Sequence, residues 1–130
     1  MNKRLLILLL CFFQLQYVIN AQSIFKNFPA EKSPGVIGLK LSELFINTPH
    51  GIYNAPNTKP HIPYFEVCNW YGALTFCNLT GNEALIKKLT ERFSPLLDKD
   101  SSLLPVPDHV DYTVFGTLPL QLFLQTKDSM

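Results

Sequence analysis

Charge is what this sequence has least of. Only 16% of its 130 residues are Asp, Glu, Lys or Arg, the basic ones are scattered without a stripe, and the formal net charge is +1. Such a chain carries no electrostatic footprint for nucleic acid or for an anionic membrane surface. Cysteine is scarce as well, three in all. The three histidines, His50, His61 and His109, stand in separate loops without cysteine partners, so no metal-ligand spacing is present. No strand-like alternation competes with the helical patterns described below. There is no compositional sign of disorder, and the length limits the chain to one globular domain.

Apolar residues are abundant instead: 47% of the chain is hydrophobic, with 10 Phe, 5 Tyr and 1 Trp. Aromatic rings serve packing first, but a ring face also suits the apolar face of a pyranose. The first apolar run, "MNKRLLILLLCFF", has a short basic start and a core of signal-peptide length, and "QLQYVINA" then leads to the small residue Ala21. A membrane anchor needs about 20 apolar residues, and Gln14 and Gln16 interrupt the run too early. Leu10 is bulky where lipid attachment at Cys11 would want a small residue. Residues 1–21 are therefore expected to be a signal peptide. Residues 22–130 are expected to be an exported chain, periplasmic or extracellular, with no membrane association after cleavage.

Export permits disulfides, but only Cys68 and Cys77 remain in the exported part. On one helix they would stand roughly 13 Å apart along the axis and face roughly opposite sides, out of reach of a bridge. Both are expected to be buried thiols used as small hydrophobes.

Four helices are expected, near 34–46, 63–80, 83–97 and 112–126. In "SPGVIGLKLSELFINTP", Ser33 can cap, Pro34 suits the first helical position, and Ile37, Leu41, Leu44 and Phe45 follow helical spacing. Residues 48–62 form a loop rich in proline. "PYFEVCNWYGALTFCNLTGN" is apolar almost all round, as a helix buried on several sides would be. Within it, Trp70 and Tyr71 read as core, and Glu66 and Asn69, three residues apart, as a structural hydrogen-bond pair. "NLT" at 78–80 has the form of a glycosylation sequon, though a turn accounts for it more simply. Gly81 supplies a left-handed C-cap and Asn82 the next N-cap. "EALIKKLTERFSPLL" is amphipathic, with Leu85, Leu89, Phe93, Leu96 and Leu97 on one face and Ser94-Pro95 fraying its last turn. The fourth segment is again apolar nearly all round, and Pro119 should kink it.

Amphipathic and buried helices thus alternate, which is the pattern of stacked helical hairpins. A faint repeat agrees: "LTGNE" and "QTKDS" stand 46 residues apart, each at the end of a buried segment. A closed double ring of twelve helices would need roughly 200 residues. The 109 residues after position 21 hold four helices, so the expectation is either a small bundle or the opening part of a longer protein.

The chemistry-bearing stretch is "LLPVPDHVDYTVFGTLPLQLFLQ", residues 103–125. Two acids and a histidine sit at the mouth of an apolar helix. On the residues alone, Asp111 or Asp108 caps that helix and His109 is a loop residue with a satisfied hydrogen bond. Tyr64, at the start of the other buried segment, is open between core packing and a sugar platform.

"YFEVCNWYGALTFCNLTGNEALIKKL" and "LLPVPDHVDYTVFGTLPLQLFLQTKD" resemble the N-terminal part of the unsaturated glucuronyl and rhamnogalacturonyl hydrolases, glycoside hydrolase families 88 and 105. The resemblance runs from about Ser33 to the C-terminus and is closest over 62–127. It implies an all-α chain of helical hairpins, the first part of a six-hairpin (α/α)6 barrel that is incomplete here. It implies that Asp111 is the first of two catalytic aspartates, the second lying on a later hairpin. Tyr64 would pack on the sugar, with His109 beside it as a further substrate contact. The substrate would be an unsaturated uronic-acid oligosaccharide, and no metal or organic cofactor is required. A chain lacking the second aspartate and most of the barrel is expected to be inactive alone. The other reading is a non-catalytic exported helical protein that binds glycan or a partner.

Overall fold

Local capping rules set most of the helix ends. In the computed structural model, which describes residues 28–128, a 3-10 turn at Ala30–Lys32 precedes Ser33. The Ser33 hydroxyl then accepts the Val36 N–H at 3.3 Å, with Pro34 following as the first helical residue. The expected signal peptide at 1–21 lies outside the described residues. The chain divides into units at 36/37, and the packing below belongs to residues 37–128. Helix α1 is Pro34–Asn47, α2 Tyr64–Thr80 and α3 Glu83–Phe93. Helix α4 is the short Val110–Thr113 and α5 is Thr117–Thr126. The described residues are all-α, with no strand beyond the single bridge between Tyr53 and His61. None of their helices is long and apolar enough to cross a membrane.

The joint between α2 and α3 is two residues long. Gly81 takes the left-handed conformation, φ 64°, and its N–H reaches the Cys77 carbonyl. Asn82 then accepts the Leu85 N–H on its side chain at 3.1 Å. Lys127 closes α5 in the same left-handed conformation, φ 59°, with its N–H on the Phe123 carbonyl. The correspondence extends further. Tyr64 and Val110 open α2 and the α4–α5 segment, and Thr80 and Thr126 close them, each pair 46 residues apart. Asn47 and Phe93, the ends of α1 and α3, keep the same spacing. The helices of the described residues thus follow one 46-residue period, and the short sequence repeat falls at the ends of α2 and α5.

Two expected helices divide. The segment expected at 83–97 is α-helical to Phe93 and tightens to a 3-10 turn over Ser94–Leu97, where Pro95 can donate no backbone hydrogen bond. The segment expected at 112–126 starts two residues earlier and is interrupted by a 3-10 turn at Val114–Gly116. Pro119 explains the interruption. Its ring would clash with the carbonyl of residue 115 in a continuous helix, whereas in the first turn of α5 its missing N–H leaves nothing unsatisfied.

The core comprises Ile62, Val67, Trp70, Ala73, Leu74 and Cys77 with Leu85, Leu89, Phe93, Leu96, Leu118 and Leu122. Trp70 stands edge-on to Phe45 at 5.3 Å and to Phe93 at 5.8 Å, the geometry that a ring quadrupole favours. The Gln125 amide donates to the Leu74 carbonyl, joining α5 to α2. The Ile62 N–H donates to the Leu103 carbonyl at 2.9 Å, tying together the loops that lead into α2 and α4.

Several expected burials are corrected. Helix α2 is apolar on every side but buried on one: Tyr64, Phe65, Tyr71 and Leu79 are exposed, because among the described residues α3 and α5 cover only the Val67–Trp70–Leu74–Cys77 face. Tyr71 is therefore not core, and Cys68 is exposed while Cys77 is buried. Leu97 points outward, carried there by the 3-10 turn. In α1, Ile37, Leu41 and Leu44 are exposed, whereas Leu39, Phe45 and Ile46 pack on the core. Small residues decide that face. Ser42 is buried, and a Cβ on Gly38 would meet the Phe76 ring at 2.5 Å.

Gly38 and Gly35 should thus respond oppositely to alanine. Gly35 has open space around its Cβ direction, so Gly35→Ala should raise stability by about 0.5–1 kcal/mol. At Gly38 the same helical gain is opposed by overpacking of about 1–3 kcal/mol, so Gly38→Ala should be net destabilising and the added substitution Phe76→Ala should relieve the clash. Urea midpoints of the variants check this; a more stable Gly38→Ala protein would show that Phe76 moves aside freely.

Candidate functional site

Tyr64 is the first residue of α2, and Asp111 is the second of α4. Both side chains stand largely in solvent, Tyr64 at 52% residue exposure and Asp111 at 57% for its side chain. The Tyr64 hydroxyl is held above its ordinary value of 10.0 by hydrogen bonding and charge interaction with Cys68, one turn along α2, then by partial desolvation and the Asp111 carboxylate.

His109 joins the same group, but as the cap of α4. Its Nδ1 accepts the Asp111 N–H at 3.2 Å. The capping role expected for an aspartate belongs to the histidine, because the Asp111 side chain lies inside the first turn and Asp108 precedes the cap. His109 Nδ1 also lies 3.7 Å from Asp111 Oδ2. The His109 ring tilts toward Tyr112 at 5.6 Å, and Tyr112 meets the edge of His61 at 4.6 Å.

His61 is the residue that sequence reasoning passed over. It is only 6% exposed. Its Nδ1 lies 2.8 Å from the Lys59 carbonyl, and since a carbonyl only accepts, Nδ1 carries the proton there. The backbone around it is folded back, with paired hydrogen bonds between Tyr53 and His61 and Asn57 left-handed at φ 65°, a conformation asparagine tolerates. A pocket of about 280 Å³ lies against this turn, lined by Lys59, His61, Leu104, Asp108 and Tyr112 among others. A larger groove of about 450 Å³ runs between α1 and α2, lined by Leu41, Phe45, Cys68, Gly72 and Phe76. Among the described residues no three His, Cys, Asp or Glu side chains converge as a metal site would require.

The second polar group is buried. Glu66 is 2% exposed, and its partner is not Asn69, which is exposed and lines the α1–α2 groove. One carboxylate oxygen takes His50 Nδ1 and the Arg92 guanidinium, and the other takes the Gly51 N–H. Arg92 also donates to the Ile46 and Thr48 carbonyls and lies 4.6 Å over the Phe45 ring. Since His50 Nδ1 must donate to the carboxylate, its 3.3 Å approach to Arg92 is packing rather than a hydrogen bond. Burial pushes the Glu66 carboxyl upward, but His50, the Gly51 N–H and Arg92 together outweigh it and hold the group below its ordinary 4.5. The sequence signal for this cluster was slight: a lone acid inside an apolar helix must find non-local donors.

Compared with protein-family models, with curated proteins and with solved structures, the chain matches none.

The depressed carboxyl fixes a pH dependence. Its folded value lies below the unfolded one, so its contribution to stability is present above about pH 4.5 and is lost as the pH falls through the folded value. Glu66→Gln should lower stability at pH 7 and flatten the acid limb of stability against pH, measured by urea unfolding from pH 7 to 3. Arg92→Ala should destabilise by about 3–5 kcal/mol, since it leaves a buried carboxylate short of a partner. An acid limb unchanged in Glu66→Gln would assign it to other carboxylates.

Proposed function

We propose that the chain is the opening part of an exported glycoside hydrolase of the unsaturated uronyl type, built on a six-hairpin (α/α)6 barrel whose first two hairpins are described above. The observation that carries this reading is the common 46-residue spacing of the helices, which sets Tyr64 at the first position of α2 and Asp111 at the second position of the matching α4–α5 segment. In this reading Tyr64 offers its ring to the terminal sugar and Asp111 is one of two pocket carboxylates. A later hairpin, beyond these 130 residues, carries the second.

The substrate is a Δ4,5-unsaturated uronic acid at the end of an oligosaccharide. Its ring contains a vinyl ether. A carboxylic acid protonates C4, water adds at C5, and the resulting hemiketal opens so that the glycosidic bond is lost. General acid catalysis contributes about 10²–10⁴-fold. It needs an environment that keeps a proton on the acid, through burial or a neighbouring carboxylate, and Asp111 is more than half exposed. Later hairpins would supply that environment. The same exposure favours the second reading, an exported helical protein that binds glycan or a partner without hydrolysing it.

The test uses an unsaturated galacturonyl disaccharide and follows loss of the ultraviolet absorbance of its C4=C5 bond. The 130-residue chain should bind without turnover, with amide signals of Tyr64 and Asp111 shifting on titration and the shifts lost in Tyr64→Ala. A longer chain that adds the later hairpins should turn over the disaccharide, and Asp111→Asn there should cut the rate at least about 10²-fold. Binding without turnover in the longer chain would favour the second reading. Near-normal activity of Asp111→Asn would remove that residue from the chemistry.

A further inference from the structure

The geometry points to His109 as a protonation switch on Asp111: neutral, it caps and positions the residue; protonated, it gives up the cap and binds the carboxylate. The Asp111 N–H is a donor, so His109 Nδ1, 3.2 Å away, must present a lone pair. A neutral imidazole can do this only with its proton on Nε2. When a proton from solvent adds to Nδ1, both ring nitrogens become donors and the cap bond cannot persist. An acceptor is already in place, Asp111 Oδ2 at 3.7 Å, and a small rotation of either side chain brings it to Nδ1–H. One proton therefore exchanges a backbone contact for a side-chain contact within the same pair of residues.

The surrounding groups leave this exchange to the pair. Tyr112 borders the His109 ring from α4, and behind it His61 is occupied at Nδ1 by the Lys59 carbonyl. Asp108 and Lys59 line the pocket on that side, and the Tyr64 hydroxyl on α2 feels the charge of Asp111. Both members of the pair are more than half exposed, so charge attraction between them is screened. What changes hands is hydrogen-bonding capacity, which screening does not remove. Asp111 is therefore free and positioned while the His109 ring is neutral, and engaged once the ring is protonated. Only the consequence for hydrolysis, a carboxylate withdrawn from substrate in acid, rests on the hydrolase reading.

Nuclear magnetic resonance of the uniformly ¹⁵N-labelled chain between pH 8 and 5 tests the switch without any activity assay. At pH 8 the His109 ring should show the Nε2–H tautomer. As the ring protonates, the Asp111 amide signal should shift with the same midpoint. In His109→Asn, whose Oδ1 can cap but does not titrate, α4 should persist and that shift should be lost. In His109→Ala the Asp111 amide at pH 8 should already resemble the wild-type signal at pH 5. An Nδ1–H tautomer at pH 8, an Asp111 amide that ignores His109 protonation, or a pH response surviving in His109→Asn would each overturn the proposal. A working switch with no disaccharide binding would discard the hydrolase reading and leave the switch standing.

Discussion

The buried carboxylate of Glu66 is the interaction on which the rest of this structure depends. It is the only charged residue of α2, and it faces inward. A carboxylate removed from water must be paired and hydrogen-bonded or it neutralises, and every one of its partners comes from a different part of the chain. His50 and Gly51 belong to the loop after α1, and Arg92 belongs to the last turn of α3. Arg92 in turn holds the Ile46 carbonyl in the last turn of α1 and the Thr48 carbonyl just past its end, and lies over Phe45. Three elements with few other polar contacts are thus brought to one point. The arrangement also specifies register, since a one-turn slip of α3 would separate Arg92 from both the carboxylate and the carbonyls.

Around that point the hydrophobic contribution is uneven. Trp70, Phe93 and the leucines of α3 and α5 fill the centre, while Tyr71 and Leu79 on α2 and Leu120, Phe123 and Leu124 on α5 stand exposed. Those segments carry no charge on their outer faces from Val67 to Thr80 or from Tyr112 to Thr126. Such faces give up burial worth about 1.5–3 kcal/mol per large side chain, which makes the polar anchor at Glu66 more consequential than it would be in a fully covered domain.

Much of the fold was legible because it is written in local chemistry. Ser33-Pro34 opens a helix, Gly81 turns the chain and Asn82 starts it again, each by an interaction within four residues. Legibility ended where a partner is distant. The spacing of Ile37, Leu41 and Leu44 suggested an inward stripe, but the close approach of Gly38 to Phe76 turned α1 the other way. Asn69 was the local candidate to satisfy Glu66, and donors 15 to 26 residues away took its place. At the candidate site, the positions of Tyr64 and Asp111 at the heads of two apolar segments could be read from the sequence. That a histidine caps the helix between two aspartates could not, since both acids are stronger capping candidates by type and only the three-dimensional path of residues 108–111 selects His109.

The equal spacing of the two hairpins has a consequence for how such a chain can change over time. Because α2 and the α4–α5 segment begin, end and terminate in a left-handed residue at positions one period apart, each junction looks the same from either side. Recombination that duplicates or deletes 46 codons in frame would alter the number of helices while keeping each one joined to the next in phase. Slippage by any other length would join a helix to the wrong phase of its neighbour. Lineages of this chain should therefore differ in whole periods inside the helical region and in arbitrary lengths only within the loops that lead into α2 and α4.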